Sequence, residues 1–110
     1  MATEILIIDD NADIRNILDE LIQDAGYKTR LAANFSQGLS EIDKKLPDVA
    51  IIDVKLDKGD NDGIQLLEHI KTKNTDIPVI INSGHANIEI AINSLRSGAC
   101  EFIQKPFDKE

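Results

Sequence analysis

Asp9, Asp10 and Asp53 are the residues whose types and spacing could do chemistry together, with Lys105 as their counter-charge. The strand-like run Glu4-Ile5-Leu6-Ile7-Ile8 ends in Asp9-Asp10, and Val49-Ala50-Ile51-Ile52 ends in Asp53. Phe102-Ile103-Gln104 leads into Lys105-Pro106. In an open parallel sheet the C-terminal strand ends share one edge, where ligands bind. Clustered carboxylates repel, so one stays protonated unless a cation intervenes. Magnesium fits: it accepts a few carboxylates, keeps several waters and bridges to phosphate. Asp9 and Asp10 would point to opposite faces of a continuing strand, but both can reach one ion where a strand turns into a loop. Asp53 can serve as ligand and as nucleophile. An aspartate that attacks a phosphoryl donor becomes an acyl phosphate.

Phosphoryl transfer depends mainly on positioning and charge neutralisation. The metal covers one phosphoryl oxygen. Lys105 is placed to cover a second, and the hydroxyl of Ser83 to bond a third. Gly84 leaves room and offers a backbone N–H. Singly, each feature has a plain reading: Asp-Asp as a polar turn or helix cap, Ser83-Gly84 as a turn, Lys105-Pro106 as a solvated loop. Jointly, each falls at a C-terminal strand end in the order that one site needs. His69 and His85 lack the spacing of a metal pair and read as surface residues. Asp57, Asp60 and Asp62 resemble a calcium loop, but the closing Glu is lacking and Gly59 is misplaced.

The elements that must position these groups alternate along the chain. Glu4 to Asp9 reads as a buried strand. Ile14, Ile17, Leu18, Leu21, Ile22 and Ala25 recur at helical spacing, with Asn11 or Asp13 as cap and Gly26 as terminator. Tyr27 to Ala32 is a more polar strand, expected at the sheet edge. Asn34 with Gln37 reads as a capping pair for a helix with Leu39, Ile42 and Leu46 on one face, stopped by Pro47. Val49 to Asp53 reads as a strand buried on both sides. A polar loop, Val54 to Asp62, precedes a helix marked by Ile64, Leu66, Leu67 and Ile70. Pro78 to Ile81 is a fourth strand, followed by the loop Asn82-Ser83-Gly84-His85. Ile88, Ala91, Ile92 and Leu95 mark a fourth helix, ended by Gly98, and Phe102 to Gln104 is the fifth strand. This β-α alternation predicts an α/β fold with a parallel sheet between helices.

Bulk properties narrow the function. A chain of 110 residues suits one domain. Its net charge of −8, from 12 basic and 20 acidic side chains, disfavours nucleic acid as a ligand of this domain. The single cysteine, Cys100, cannot form an internal disulfide. Its neighbours Ala99 and Phe102 predict a packed, unreactive thiol. No apolar run reaches membrane-spanning length and no signal-peptide pattern opens the chain. A cytoplasmic location is expected.

Ile5-Leu6-Ile7-Ile8-Asp9-Asp10, Asp53, Asp62-Gly63, Ser83-Gly84 and Phe102-Ile103-Gln104-Lys105-Pro106-Phe107 together resemble a two-component response-regulator receiver domain, from the first strand to the last residue. The resemblance implies a doubly wound, flavodoxin-like five-stranded parallel sheet of order 2-1-3-4-5. It implies that Asp53 accepts a phosphoryl group from a sensor histidine kinase. Asp9, Asp10 and Asp53 with the backbone carbonyl of Lys55 would bind Mg2+, and Ser83 and Lys105 would contact the phosphoryl group. Phe102 matches the switch aromatic that turns inward when Ser83 moves, and lacks a hydroxyl. The peptide before Pro106 is expected to be cis. The resemblance also implies that Lys55 and His85 occupy positions that, in receivers generally, tune phosphoaspartate hydrolysis. Ser83-Gly84-His85-Ala86-Asn87-Ile88-Glu89, and an Asp53-to-Gly63 spacing two residues longer than usual, resemble the nitrogen-regulation NtrX type. That type carries an ATPase and a helix-turn-helix output domain after the receiver.

Two departures accompany the resemblance. The loop after Asp53 lacks a proline that many receivers have there. The helix expected after the fifth strand is not encoded, so the chain reads as a receiver cut from a longer transcriptional regulator, with a stand-alone regulator as the alternative. The uncovered sheet face predicts self-association or lowered stability, and homodimerisation stays open. Two rivals compete. A haloacid-dehalogenase-type phosphatase needs Asp-x-Asp, where this chain has Asp9-Asp10-Asn11. A flavodoxin-like nucleotide module needs a Gly- or hydroxyl-rich phosphate loop that the acidic pair replaces.

Overall fold

Five short strands and the helices between them carry the site, in a computed structural model that describes residues 3–57, 59, 62–84, 92 and 94–104; the side chains of Phe102 and Gln104 lie outside the description. The strands are β1 (Glu4–Ile8), β2 (Lys28–Ala32), β3 (Val49–Asp53), β4 (Val79–Ser83) and β5 (Glu101–Gln104). The described helices are α1 (Ala12–Asp24), α2 (Phe35–Lys44) and α3 (Asp62–Lys73). Residues 92 and 94–96 are also helical, within the stretch read as a fourth helix; Ile88 and Ala91 lie outside the described residues. All pairings are parallel, in the order β2-β1-β3-β4-β5. This order places β1 beside β3. The acids ending these two strands therefore meet at one edge.

Alternation along each strand sends side chains to two faces. Leu6, Ile8, Ala50, Ile52, Val79 and Ile81 join Ile42 of α2 and Leu66, Leu67 and Ile70 of α3 in one apolar cluster. Full burial of a Leu or Ile contributes about 1.5–3 kcal/mol, and seven of the Leu and Ile side chains in this cluster are wholly inaccessible: Leu6, Ile8, Ile52, Leu66, Leu67, Ile70 and Ile81. Gly38 of α2 fits here because a Cβ would stand 3.1 Å from Ile8 Cδ1 and 3.2 Å from Leu66 Cδ1. The opposite face carries α1. None of its residues is fully buried, and Ile17 and Leu21 are 47% and 58% exposed. Val49, Ile51 and Ile80 beneath this side are only half-buried, and Ile103 is exposed. The expectation of a β3 buried on both sides thus holds only toward α2 and α3.

Both predicted caps form. The Asn11 side chain accepts from the N–H groups of Asp13 and Ile14 at 2.9 and 3.1 Å. Asn34 accepts from Gln37 N–H at 2.8 Å, and Gln37 Oε1 reaches back to Ala33 N–H at 2.8 Å. Gly26, at φ 98°, turns the chain after α1. Tyr27 lies outside β2 and is exposed.

Three expectations change. Asn82 and Ser83 belong to β4 rather than to a loop, because the ladder continues with Asp53 opposite Asn82 and Gln104 opposite Ser83. The loop after Asp53 is not simply polar: Val54 and Leu56 are buried in the core cluster. Cys100 is exposed rather than packed. It sits at the bend before edge strand β5, where its N–H bonds Val79 O while the side chain faces out.

Arg30 ties together the sheet end remote from the acids. Its Nη1 donates to Glu41 Oε1 at 2.8 Å and Glu41 O at 3.0 Å, and Nη2 donates to Lys45 O at 2.6 Å. Nε lies 3.1 Å from Glu4 Oε1. The Arg30 guanidinium holds the Glu41 carboxyl below its ordinary value. A depressed folded-state value means a stabilising contribution present above the unfolded value and lost as pH falls through the folded one. Arg30→Ala should cost about 2–3 kcal/mol in urea unfolding near neutral pH. The loss should shrink on acidification below about pH 4, near the ordinary carboxylate range. An equal loss at all pH values would show that packing of the arginine stem, not the ion pair, carries the effect.

Candidate phosphoryl-acceptor site

At the C-terminal strand edge, one carboxylate oxygen from each of Asp9, Asp10 and Asp53 lies within 4.8 Å of the other two. The sequence places them there by a simple route. The β1 ladder runs one step beyond the strand, with Asp9 N–H donating to Ala32 O at 3.1 Å. The chain then turns into α1. Asp9 is fully buried and its Oδ1 accepts from Asn11 N–H at 2.9 Å, while Asp10 is exposed. Arg15 of α1 holds the turn by donating Nη1 to Asp9 O at 2.8 Å. Asp53 ends β3 and is 5% exposed.

These groups open onto a cleft of about 320 Å³ lined by Asp10, Asn11, Asp53, Lys55, Leu56, Ser83 and Gly84. Three carboxylates at this separation repel one another, and a bound cation would relieve that repulsion. An all-oxygen donor set, part buried and part open to water, fits magnesium better than a transition metal. The structure thus brings Asp9, Asp10, Asp53, Lys55 and Ser83 to one edge of the sheet. Lys105, His85 and Pro106 lie outside the described residues, as does the Phe102 side chain.

Sequence reasoning missed what shapes the loop that follows Asp53. Asp57 Oδ1 accepts from Phe35 N–H, the first residue of α2, at 2.9 Å. Asp62 is 2% exposed and accepts from Gly59 N–H at 3.0 Å. Two acids of the rejected calcium loop thus accept from backbone N–H groups, one at the start of α2 and one at Gly59. Gly63 N–H donates to Val54 O at 2.8 Å, seating α3 against the strand that ends in Asp53. His69 reads correctly as a surface residue: its Nε2 lies 2.8 Å from Asp43 Oδ1, joining α2 to α3. That contact holds the Asp43 carboxyl below its ordinary value.

Comparison with known proteins agrees with this geometry. The chain is 40% identical over 107 residues to a putative NtrX-like response regulator of Rickettsia bellii, covering 97% of this chain and 22% of the relative. It is 38% identical over its whole length to the nitrogen assimilation regulatory protein NtrX of Azorhizobium caulinodans, covering 24% of that protein. The chain thus spans under a quarter of the length of these relatives. Among solved structures, the receiver domain of NtrX from Brucella abortus superposes with a TM-score of 0.85 at 38% identity, covering 94% of this chain and 87% of that one. A CheY-like receiver domain protein from Methanospirillum hungatei gives 0.90 at 30% identity, covering 98% and 85%. The sheet order is shared by receivers and flavodoxin-like modules; the family match over residues 5–110, rather than the order, sets aside the dehalogenase-type and nucleotide-module readings. Residues 5–110 match the response regulator receiver domain, and the chain belongs to that family, with relatives of the NtrX type.

Proposed function

We propose that this receiver domain takes a phosphoryl group onto Asp53 in a magnesium-dependent reaction with a sensor histidine kinase. The proximity of the three carboxylates at the mouth of one cleft carries the reading. In the proposed step an Asp53 oxygen attacks phosphorus, the bond to the kinase histidine nitrogen breaks, and an acyl phosphate forms. Asp9, Asp10, Asp53 and the Lys55 backbone carbonyl would hold Mg2+. The bound ion supplies positive charge to the transferring phosphoryl oxygens. Ser83, 1% exposed at the end of β4, would donate its hydroxyl to a phosphoryl oxygen, and Lys105 would supply an ammonium. Inward movement of Ser83 would draw the Phe102 ring with it and reshape the outer face of the domain.

The domain is then a signalling module that catalyses only its own phosphorylation and dephosphorylation. The relatives' greater length supports an output domain in a longer, cytoplasmic transcriptional regulator. Among the described residues, no helix is long and apolar enough to cross a membrane. Exposed Ile17, Leu21 and Ile103 support the expectation that a helix following β5, or a second copy of the chain, covers that face.

Intact-mass analysis after incubation with acetyl phosphate and Mg2+ tests the reading. One phosphoryl adduct should form with Mg2+ and not with EDTA. Asp10→Ala should fold normally but need about tenfold or more Mg2+ for half-maximal labelling, since even groups outside the ligand shell matter at that scale. An unchanged metal requirement would reduce the acidic pair to a turn.

A further inference from the structure

Asn82 is a polar side chain on a strand whose other inner positions are apolar, and it is 1% exposed. Among the described residues, neither its Oδ1 nor its Nδ2 has a hydrogen-bond partner. Leaving a buried amide unpaired is costly, whereas an apolar residue of the same size carries no such cost. Stability therefore does not explain an asparagine here.

Its neighbours do. Val79 and Ile81 point into the cluster with α2 and α3, so alternation turns Asn82 to the opposite face with Ile80. On β3, Ala50, Ile52 and Val54 belong to the same cluster, so Asp53 faces the same way as Asn82. The ladder sets these two residues directly opposite each other, and Val54 N–H donates to Asn82 O at 3.0 Å. Neighbouring strands lie about 4.8 Å apart. Side chains directly opposite each other on one face of such strands lie within reach, so a rotation of the Asp53 carboxylate brings it to the Asn82 amide.

We propose that Asn82 is a positioning residue for phosphoryl transfer at Asp53: its Nδ2–H donates to an Asp53 carboxylate oxygen when that carboxylate turns toward the cation, and so fixes its rotation. One oxygen is then turned to the cation and the other to the incoming phosphorus. The inference rests on Asp53 as phosphoacceptor. Asn82 touches neither phosphorus nor the leaving group and acts through Asp53. A misaligned nucleophile loses rate without losing the donor's binding contacts.

The test uses the full chain with Mg2+ and acetyl phosphate, following adduct formation over a range of donor concentrations. Asn82→Leu removes both polar atoms at nearly constant volume. It should melt at or above the wild-type temperature, yet its maximal phosphorylation rate should fall about tenfold, with the half-saturating donor concentration unchanged. Asn82→Ser keeps a donor and an acceptor and should recover most of the rate. If Asn82→Leu does not fold, Asn82→Val, suited to a strand, carries the same comparison. A wild-type rate in the apolar variant overturns the inference while leaving Asp53 as the acceptor. Absence of any adduct on the wild-type chain instead overturns the phosphoacceptor reading itself.

Discussion

Asp53→Asn is expected to abolish the acid-labile phosphoryl adduct while leaving the fold intact. The three acids are not equivalent. Asp9 is fully buried, and one of its oxygens is committed to the Asn11 N–H. Asp10 is exposed and lines the outer side of the cleft. Asp53 lies between them and Ser83, in a cleft also lined by Lys55 and Gly84. A phosphoryl group on Asp53 would therefore meet both the proposed metal ligands and the Ser83 hydroxyl, whereas one on Asp9 would be walled in. An amide of the same shape is a poor nucleophile, so labelling should fall to background rather than merely slow. It also removes one of three mutually repelling charges, so in EDTA the variant should melt at or above the wild-type temperature. Peptide mapping decides the case: full labelling of Asp53→Asn on Asp9 or Asp10 would falsify the assignment.

Much of this arrangement is legible in the sequence because it is local. Ile5 to Ile8, four consecutive residues of β1, and the start of β3 are apolar runs too short for helices. Asn11 and Asn34 announce helix starts through contacts two to three residues away. The α3 stripe of Ile64, Leu66, Leu67 and Ile70 is fully used. What escaped depends on distant partners. Asn82 and Ser83 have weak strand preference, yet pairing with β3 and β5 keeps them in the ladder. The periodic face of α1 looks like a core face, but Ile17 and Leu21 meet little there. Asp57 finds its partner 22 residues away on α2, a distance at which no local pattern points to it. The site was readable for a different reason. Its acids end strands, and the strand ends of a parallel sheet converge whatever the loops do.

Gly63→Ala should be among the most damaging single-methyl changes in this chain, and its damage should reach the site. Gly63 sits at the start of α3, directly against the end of β3. A Cβ there would overlap the Asp53 carbonyl oxygen and stand 2.6 Å from Val54 Cα and 2.9 Å from Asp53 C. These are backbone atoms in a paired central strand, so no side chain can swing aside. Either α3 moves out, opening the packing of Leu66, Leu67 and Ile70, or the end of β3 moves and carries Asp53 with it. The cost should be about 3–5 kcal/mol, the range of severe overpacking and lost core contacts. Gly26→Ala is the matched control. Nothing lies within 4 Å of a Cβ there, and only its φ of +98° is unfavourable, so about 1–2 kcal/mol should be lost, with labelling unaffected. Urea unfolding of both variants gives the stabilities, and Mg2+-dependent labelling under folded conditions reads the site. Where Gly63→Ala folds, its labelling rate should drop well below that of Gly26→Ala at equal folded fraction, because about 1 Å of misplacement can cost a hundredfold in rate. Equal stability of the two variants would show that the α3–β3 contact yields freely. It would remove the reason for a glycine beside the end of β3.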